Sequence, residues 1–231
     1  MFKLSRALAP VAVAAAATFA MSYAQANISI DDFSIPVPGQ YLNDNDGVAD
    51  SLVSANPSAN ATSRTLHHQL LTPSAFGFNG SGNLSSAGVG ANPNFVADQL
   101  NMSNANQVDS VVTVEWTLAS LAANAGNSFA FDVIANDNGS TGGQNTAEGF
   151  LNGASLGVVN LSLGTIVFGL DAVQAASLAT AGQIFSITFM GAEAWDASID
   201  DLRLIPEPTS LALAGLALIG LGAARRRAAR K

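Results

Sequence analysis

The chain has 231 residues and no cysteine, so disulfide bonds, cysteine nucleophiles and cysteine-based zinc sites are all excluded. Residues 27–205 hold sixteen acidic side chains, two arginines and no lysine, a net charge of −14. A surface of that charge repels nucleic acids and anionic lipids, and it attracts divalent cations or basic partners.

The first 26 residues have the pattern of a secretory signal peptide. Lys3 and Arg6 form a basic start, residues 7–21 are largely apolar, and Ala24-Gln25-Ala26 is an A-x-A cleavage pattern. We therefore expect signal peptidase to remove residues 1–26, so that the mature protein begins at Asn27. Without disulfides, the exported domain has to rely on its own hydrophobic core.

Residues 27–204 alternate between short apolar-polar runs and turns rich in Gly, Asn and Ser. The predicted strands are 28–35, 64–71, 110–118, 128–135, 157–163, 165–170, 184–190 and 197–205, with a short helical turn within 171–180. Val112, Val114 and Trp116 show the alternation that buries one face of a strand. The pattern predicts an all-β fold, an antiparallel β-sandwich of jelly-roll-like form, with another Greek-key topology as the alternative.

The first and last predicted strands share a motif, because residues 29–32 and 198–201 both read Ser-Ile-Asp-Asp. In each, the isoleucine and the apolar residues after the acids have opposite parity. A regular strand cannot bury both sets, so we expect a bulge at each Asp pair.

If these two strands are neighbours, they bring four carboxylates together. Arg203 can neutralise one of them, which leaves a cation as the expected partner of the rest. Clustered oxygen ligands suit calcium. The predicted structural calcium site consists of Asp31, Asp32, Asp200 and Asp201, and two exposed acidic turns on separate edges are the alternative.

Carbohydrate is the expected organic ligand, since β-sandwich modules that bind sugars present exposed aromatic side chains. Trp116 alternates with Val114 and is expected in the core. Trp195 lies in a loop before the last strand and is the predicted ligand platform. A Trp195 that folds back to cap the core is the alternative.

The sequence contains fragments of catalytic motifs, but the other residues that each motif requires are not in the right places. Residues 153–157 read Gly-Ala-Ser-Leu-Gly, but the two histidines, His67 and His68, precede that serine instead of following it. Adjacent histidines on a strand point to opposite faces and would not hold one metal ion. The sequence predicts a non-enzymatic protein, and a secreted hydrolase acting on matrix polysaccharide is the alternative.

The last 27 residues have three parts in a fixed order. Pro206-Glu207-Pro208 can neither continue a strand nor enter a helix interior. Residues 210–224 carry no charge and would form a helix of about 22 Å. The basic end consists of Arg225, Arg226, Arg227, Arg230 and Lys231. An apolar helix with a basic end predicts a transmembrane segment whose charged end stays in the cytoplasm.

This order resembles the PEP-CTERM sorting signal of Gram-negative bacteria. The resemblance implies that an exosortase, a membrane-embedded protease or transpeptidase, recognises residues 206–208 and processes the tail. It also implies anchoring in the inner membrane before processing, and then placement on the cell surface or in the exopolysaccharide matrix of a biofilm. The expected organisation is a signal peptide (1–26), a β-sandwich (27–204) and a sorting signal (205–231).

Overall fold

The computed structural model describes residues 27–34, 41–44, 50–72, 82–86, 99–104, 108–122, 126–139 and 142–206. At 41–44, 50, 52, 54–56, 72 and 82–86 it describes the backbone alone. The predicted signal peptide and residues 207–231 lie outside the described residues. No helix in the described part of the chain is long and apolar enough to span a bilayer.

The described strands all belong to one unit, Asn27–Ile205. They are β1 (Ile28–Asp31), β2 (Tyr41–Asp44), β3 (Asp50–Ser58), β4 (Ala61–Thr72), β5 (Gly82–Ser86), β6 (Leu100–Ser103), β7 (Asp109–Leu118), β8 (Ser128–Asp137), β9 (Thr146–Leu151), β10 (Ala154–Asn160), β11 (Gly164–Gly169), β12 (Ile184–Met190) and β13 (Asp196–Ile205). A short helix, α1 (Ala172–Ser177), connects β11 to β12.

Two antiparallel sheets form the architecture. Among the described strands, the first sheet has the order β11-β8-β13-β6-β5-β2, with β1 also pairing with β13. The second sheet has the order β10-β9-β12-β7-β4-β3. Strands that are neighbours in a sheet are mostly distant in sequence. The predicted fold, an all-β antiparallel sandwich of jelly-roll-like form, is confirmed.

The core lies between the two sheets because each strand turns one alternating set of side chains inward. In β7 the even-numbered residues are buried and the odd-numbered residues are partly exposed. Aromatic rings from both sheets pack against one another: Trp116 of β7 lies next to Phe185 of β12, whose ring stacks on Phe129 of β8 at 3.9 Å between centroids. Stacked aromatic pairs add stabilisation beyond the area that they bury.

The sequence analysis located the strands with strong alternation and missed those without it. The strands that overlap predicted ones are β1, β4, β7, β8, β10, β11, β12 and β13. β2, β3, β5 and β6 were not predicted, because at least half of their residues are Asn, Ser, Asp or Gly. β9 was not predicted, because two of its three buried residues, Ala147 and Gly149, are small. These segments are strands because neighbouring strands supply their backbone hydrogen bonds, and residue preference contributes little.

Two local signals shape the connections. β9 and β10 are joined by the two-residue turn Asn152-Gly153, in which both φ angles are positive, 51° and 79°. Asn-Gly is the favoured pair for such a hairpin turn. α1 begins with a capping box, in which the Asp171 carboxylate accepts from the Gln174 N–H and the Gln174 side chain accepts from the Asp171 N–H. The predicted helical turn is thus present.

Candidate functional site

The two Ser-Ile-Asp-Asp motifs lie on neighbouring strands, as predicted. β1 pairs antiparallel with the second half of β13, so that Ile28 lies opposite Leu204 and Asp31 lies opposite Leu202. The first half of β13 pairs with β6 instead. The first and last residues of the domain therefore lie side by side at the same end of the first sheet.

Both expected bulges are also present. The register shifts between Ser29 and Asp31 in β1, and between Asp200 and Arg203 in β13. Asp201 has a φ of 49°, a conformation that changes the direction of the strand. Ile199 and Leu202 are consequently both buried, although they have opposite parity.

Asp31 lies inside the core, not in an exposed acidic cluster. Its Oδ2 accepts hydrogen bonds from Arg64 Nη1 at 2.7 Å and from Trp116 Nε1 at 2.8 Å. Its Oδ1 accepts from the Phe33 N–H at 2.9 Å. The side chains of Asp31 and Arg64 are both fully buried, and the Arg64 guanidinium lies 5.4 Å from the centre of the Phe33 ring.

This network joins the two sheets, because Asp31 belongs to β1 whereas Arg64 and Trp116 belong to β4 and β7. A buried ion pair adds little net stability compared with an apolar pair, but breaking it leaves an uncompensated charge in the core. The metal-site prediction is therefore corrected for Asp31: protein donors surround its carboxylate, and it faces the opposite sheet.

The other three predicted metal ligands lie near one another at the surface. Asp32 accepts from the Ser34 hydroxyl at 2.6 Å. Arg203 Nη1 donates to Asp201 Oδ2 at 2.7 Å, and the Arg203 fork donates two bonds to Asp132 of β8, at 2.8 and 3.1 Å. Asp132 was not predicted, because nothing in its own segment distinguishes it and only the pairing of β8 with β13 places it here.

Hydrogen bonds, burial and charges shift the pKa values of the carboxyl groups in this cluster in opposite directions. The hydrogen bond from Arg203 lowers the pKa of Asp132, and the hydrogen bond from Ser34 lowers the pKa of Asp32. Partial burial raises the pKa of Asp200, and repulsion from Asp201, Asp132 and Asp32 raises it further. Asp200 and Asp32 are thus close enough to interact, as the paired motifs predicted.

Arg203 supplies a positive charge to this cluster, in which the carboxylates of Asp32, Asp132, Asp200 and Asp201 interact. Within the described residues, no group of three or more His, Asp or Glu side chains is arranged to hold a metal ion. Arg203 already contacts two of the carboxylates. Calcium binding by Asp32, Asp200 and Asp201 stays a prediction.

The prediction that Trp195 is a surface platform is wrong. Its side chain is fully buried, and its Nε1 donates to the Ser110 carbonyl at 3.2 Å. The turn before it, in which Ala194 has a φ of 61°, directs the indole inward. The alternative interpretation is confirmed: Trp195 caps one end of the core and has no ring face available to a ligand.

The outer face of the second sheet is a candidate surface that the sequence analysis missed. Strand register aligns two rows of half-buried side chains across β4, β7, β12 and β9: His67, Thr113, Thr188 and Glu148 form one row, and Thr65, Glu115, Ser186 and Phe150 form the other. The Thr113 and Thr188 hydroxyl groups are 3.0 Å apart, and Glu148 accepts from Ser155 at 2.7 Å. The alternation of β7 was a signal for this face, but β9 was not predicted.

The end of β13 leads directly into the predicted sorting motif. Ile205 is the last strand residue, and its carbonyl accepts from the Asn127 N–H at 3.1 Å. Pro206 has no N–H and cannot extend the ladder. Glu207, Pro208 and the basic end lie outside the described residues.

Family comparison identifies this segment. The PEP-CTERM protein-sorting motif matches residues 204–227. The chain carries a PEP-CTERM sorting motif. The match begins within β13, includes Pro206-Glu207-Pro208 and extends to Arg227. It is the signal of an exported protein that is anchored in the membrane before an exosortase processes it, and it confirms the predicted resemblance.

No curated protein matches this PEP-CTERM chain. Among solved structures, it is similar to the family 11 carbohydrate-binding module of the cellulase Lic26A-Cel5E of Clostridium thermocellum, with 15% identity over 79% of this chain and 96% of that one, at a TM-score of 0.32. TmCBM61, in complex with β-1,4-galactotriose, has 12% identity over 68% and 88%, at 0.32. A β-1,2-glucanase from Parabacteroides distasonis has 9% identity over 80% of this chain and 25% of that one, at 0.38. These values carry no inference about ligand or activity.

The two arginines of the domain should differ in their effect on stability. Arg64→Met leaves Asp31 charged and buried, so the free energy of unfolding should fall by about 3–5 kcal/mol. Arg203→Met breaks ion pairs with partly exposed carboxylates and should cost about 1 kcal/mol. Urea denaturation of the purified protein measures both. The double variant Asp31→Asn/Arg64→Met should lose less than the sum of its single changes, and equal losses for the two arginine variants would contradict this assignment.

Asp132 and Asp200 should respond in opposite directions when their charges are removed. At pH 7, Asp132→Asn should lower the free energy of unfolding by about 1 kcal/mol, whereas Asp200→Asn should leave it unchanged or raise it. The Asp132 contribution is complete above the carboxyl pKa of an unfolded chain, about 3.9, and is lost as the pH falls through the lower pKa of the folded state. Urea denaturation at pH 7 and at pH 2.5 tests both signs, and a loss in both variants at pH 7 would overturn them.

Proposed function

We propose that this exported protein is sorted through residues 205–231 to the cell surface or to an exopolysaccharide matrix, where its β-sandwich acts as a non-catalytic module that binds neutral polysaccharide. The observation that carries the sorting part is the PEP-CTERM match, which begins at the end of β13. The expected processing enzyme is an exosortase, and signal peptidase is expected to act at the other end of the chain.

The outer face of the second sheet supports the binding part. Its two rows combine hydroxyl groups, an imidazole, two carboxylates and one aromatic ring on a single sheet face. Such groups can donate to and accept from sugar hydroxyls, and Phe150 offers an apolar surface to a sugar ring. A few well-placed polar groups beside an aromatic side chain are typical of small-molecule sites.

The charge of the domain supports a neutral ligand over an acidic one. Residues 27–205 carry a net charge of −14, and Glu115 and Glu148 both lie on the proposed face. An anionic polymer such as a polyuronate would be repelled as it approached. Neutral hydroxyl groups can donate hydrogen bonds to these carboxylates without that cost.

Glu115 and Glu148 also define how the hydrolase alternative can be tested. β12 separates their strands, so the two backbones are two strand spacings apart, about 10 Å, and the residues are offset by two positions along the sheet. Inverting glycosidases hold their carboxyl groups about 6.5–9.5 Å apart. The backbone separation exceeds that range, so a hydrolase would need the two side chains to lean towards each other across β12.

Phe150→Ala should weaken binding of a neutral polysaccharide about tenfold, which corresponds to about 1.4 kcal/mol. The reason is that Phe150 supplies the aromatic surface of the proposed face. Affinity electrophoresis in gels that contain candidate soluble neutral glucans and galactans measures the change, after a glycan array has chosen the polymer. Val173→Ala, at an exposed apolar residue of α1, is the matched control and should bind like the wild type.

A reducing-sugar assay on the same polymers separates the two functions. Release of sugar by the wild-type protein that disappears in Glu115→Gln or Glu148→Gln would favour the hydrolase. If the Phe150→Ala variant binds the polymer as tightly as the wild type, the ligand site does not lie on this face.

Replacement of Pro206, Glu207 and Pro208 by alanine should abolish C-terminal processing and leave the protein in the inner membrane. Alanines can continue a helix or strand, so the extended motif that an exosortase recognises would be lost. Membrane fractionation and the intact mass of the protein measure the outcome in the native host. Thr209→Ala, one residue beyond the motif, is the control, and normal release of the triple variant would refute sorting by this motif.

A further inference from the structure

The PEP-CTERM match and the folded domain overlap. The match starts at residue 204, whereas β13 continues to Ile205. Leu204 is fully buried and lies between Phe129 of β8 and Ile28 of β1 in the sheet. The first two residues of the sorting segment are therefore part of the sandwich.

A turn also clamps the last residue of β13. The Asn127 N–H donates to the Ile205 carbonyl, and Ser128 lies opposite Ile205 in the ladder with β8. Gly126 packs so closely that an added Cβ would lie 2.5 Å from the Ile205 oxygen and 2.7 Å from Leu204 Cγ. Only glycine fits at that position without displacing the end of the strand.

Proteases bind their substrates as extended segments, and a strand that is hydrogen-bonded on both sides cannot enter a cleft unless it first opens locally. Pro206 follows directly and cannot donate to the ladder, because it has no N–H. The hydrogen-bonded ladder therefore ends at Ile205.

We propose that the sandwich sets the N-terminal limit of C-terminal processing. While the domain is folded, β8, β1 and the Gly126-Asn127 turn withhold Arg203–Ile205 from any protease, so that cleavage falls at or beyond Pro206. This inference rests on the proposed sorting function for its biological role. Processing breaks one amide C–N bond. The acyl group is transferred to an acceptor, which is water in hydrolysis. The departing amine takes up the proton that the acceptor loses.

The limit protects a central strand. β13 pairs with β8 along most of its length and with both β6 and β1 on its other side. A cut before Leu204 would remove a buried leucine and the partner of Ile28. With the limit in place, the processed protein keeps β13 complete.

Native-state digestion with thermolysin, which cuts before large apolar residues, tests the limit on the full chain in detergent. The wild-type protein should give a product that retains Ile205, as determined by mass. Gly126→Ala should be cut before Leu204 or Ile205 about tenfold faster, because the added methyl group displaces the strand end.

Gly153→Ala is the matched control. It strains a turn with a φ of 79° but meets no atom within 4 Å, and the β9–β10 turn belongs to the sheet that does not contain β13. It should lower the melting temperature without faster cutting at 204–205. Equal acceleration in both variants at equal loss of stability would mean that global unfolding exposes the site, and would overturn the proposal.

The mass of the product released by the native host separates this inference from the sorting function. A product that ends at or beyond Ile205 supports the limit. A product that ends before Leu204 overturns it while leaving sorting intact. The absence of processing would refute the sorting function, and the thermolysin result would still decide whether the strand end is protected.

Discussion

The packing of the two sheets against each other depends on the buried hydrogen bonds of the Asp31 carboxylate. This carboxylate comes from the first strand of the domain and accepts hydrogen bonds from the opposite sheet, through Arg64 and the Trp116 indole. The Arg64 charge cannot be left unpaired in a core, so the second sheet requires β1 to be in place. Because β1 also pairs with the end of β13, one buried charge pair ties the first strand, the last strand and both sheets together.

Residues 27–205 contain few basic side chains, so few ion pairs are available to them. Residues 27–205 have sixteen acids and two arginines: Arg64 of β4 pairs with Asp31 of β1, and Arg203 of β13 pairs with Asp132 of β8. One is buried and holds the sheets together, and the other is at the surface and neutralises Asp132 and Asp201.

The same junction lies next to the segment that directs sorting. β13 ends at Ile205, and the PEP-CTERM motif begins before that strand is complete. Folding and delivery therefore share residues at this end of the protein. The proposed ligand face lies on the other sheet, which does not contain β13.

Local sequence patterns were enough to predict the targeting segments, several strands and the two bulges. The predicted signal peptide and the sorting motif are contiguous patterns, and the alternation of Val112, Val114 and Trp116 marks a half-buried strand without any partner being known. Even the two bulges followed from parity, because apolar residues on both sides of an Asp pair must all be buried.

Contacts between distant segments were decided only by the tertiary structure. Asp31 and Arg64 are 33 residues apart, the inward turn of Trp195 depends on Ser110, and Asp132 joins Arg203 only because β8 pairs with β13. Strand order brings these side chains together, and strand order depends on which pairings bury the whole core, a property that no single segment of the chain contains.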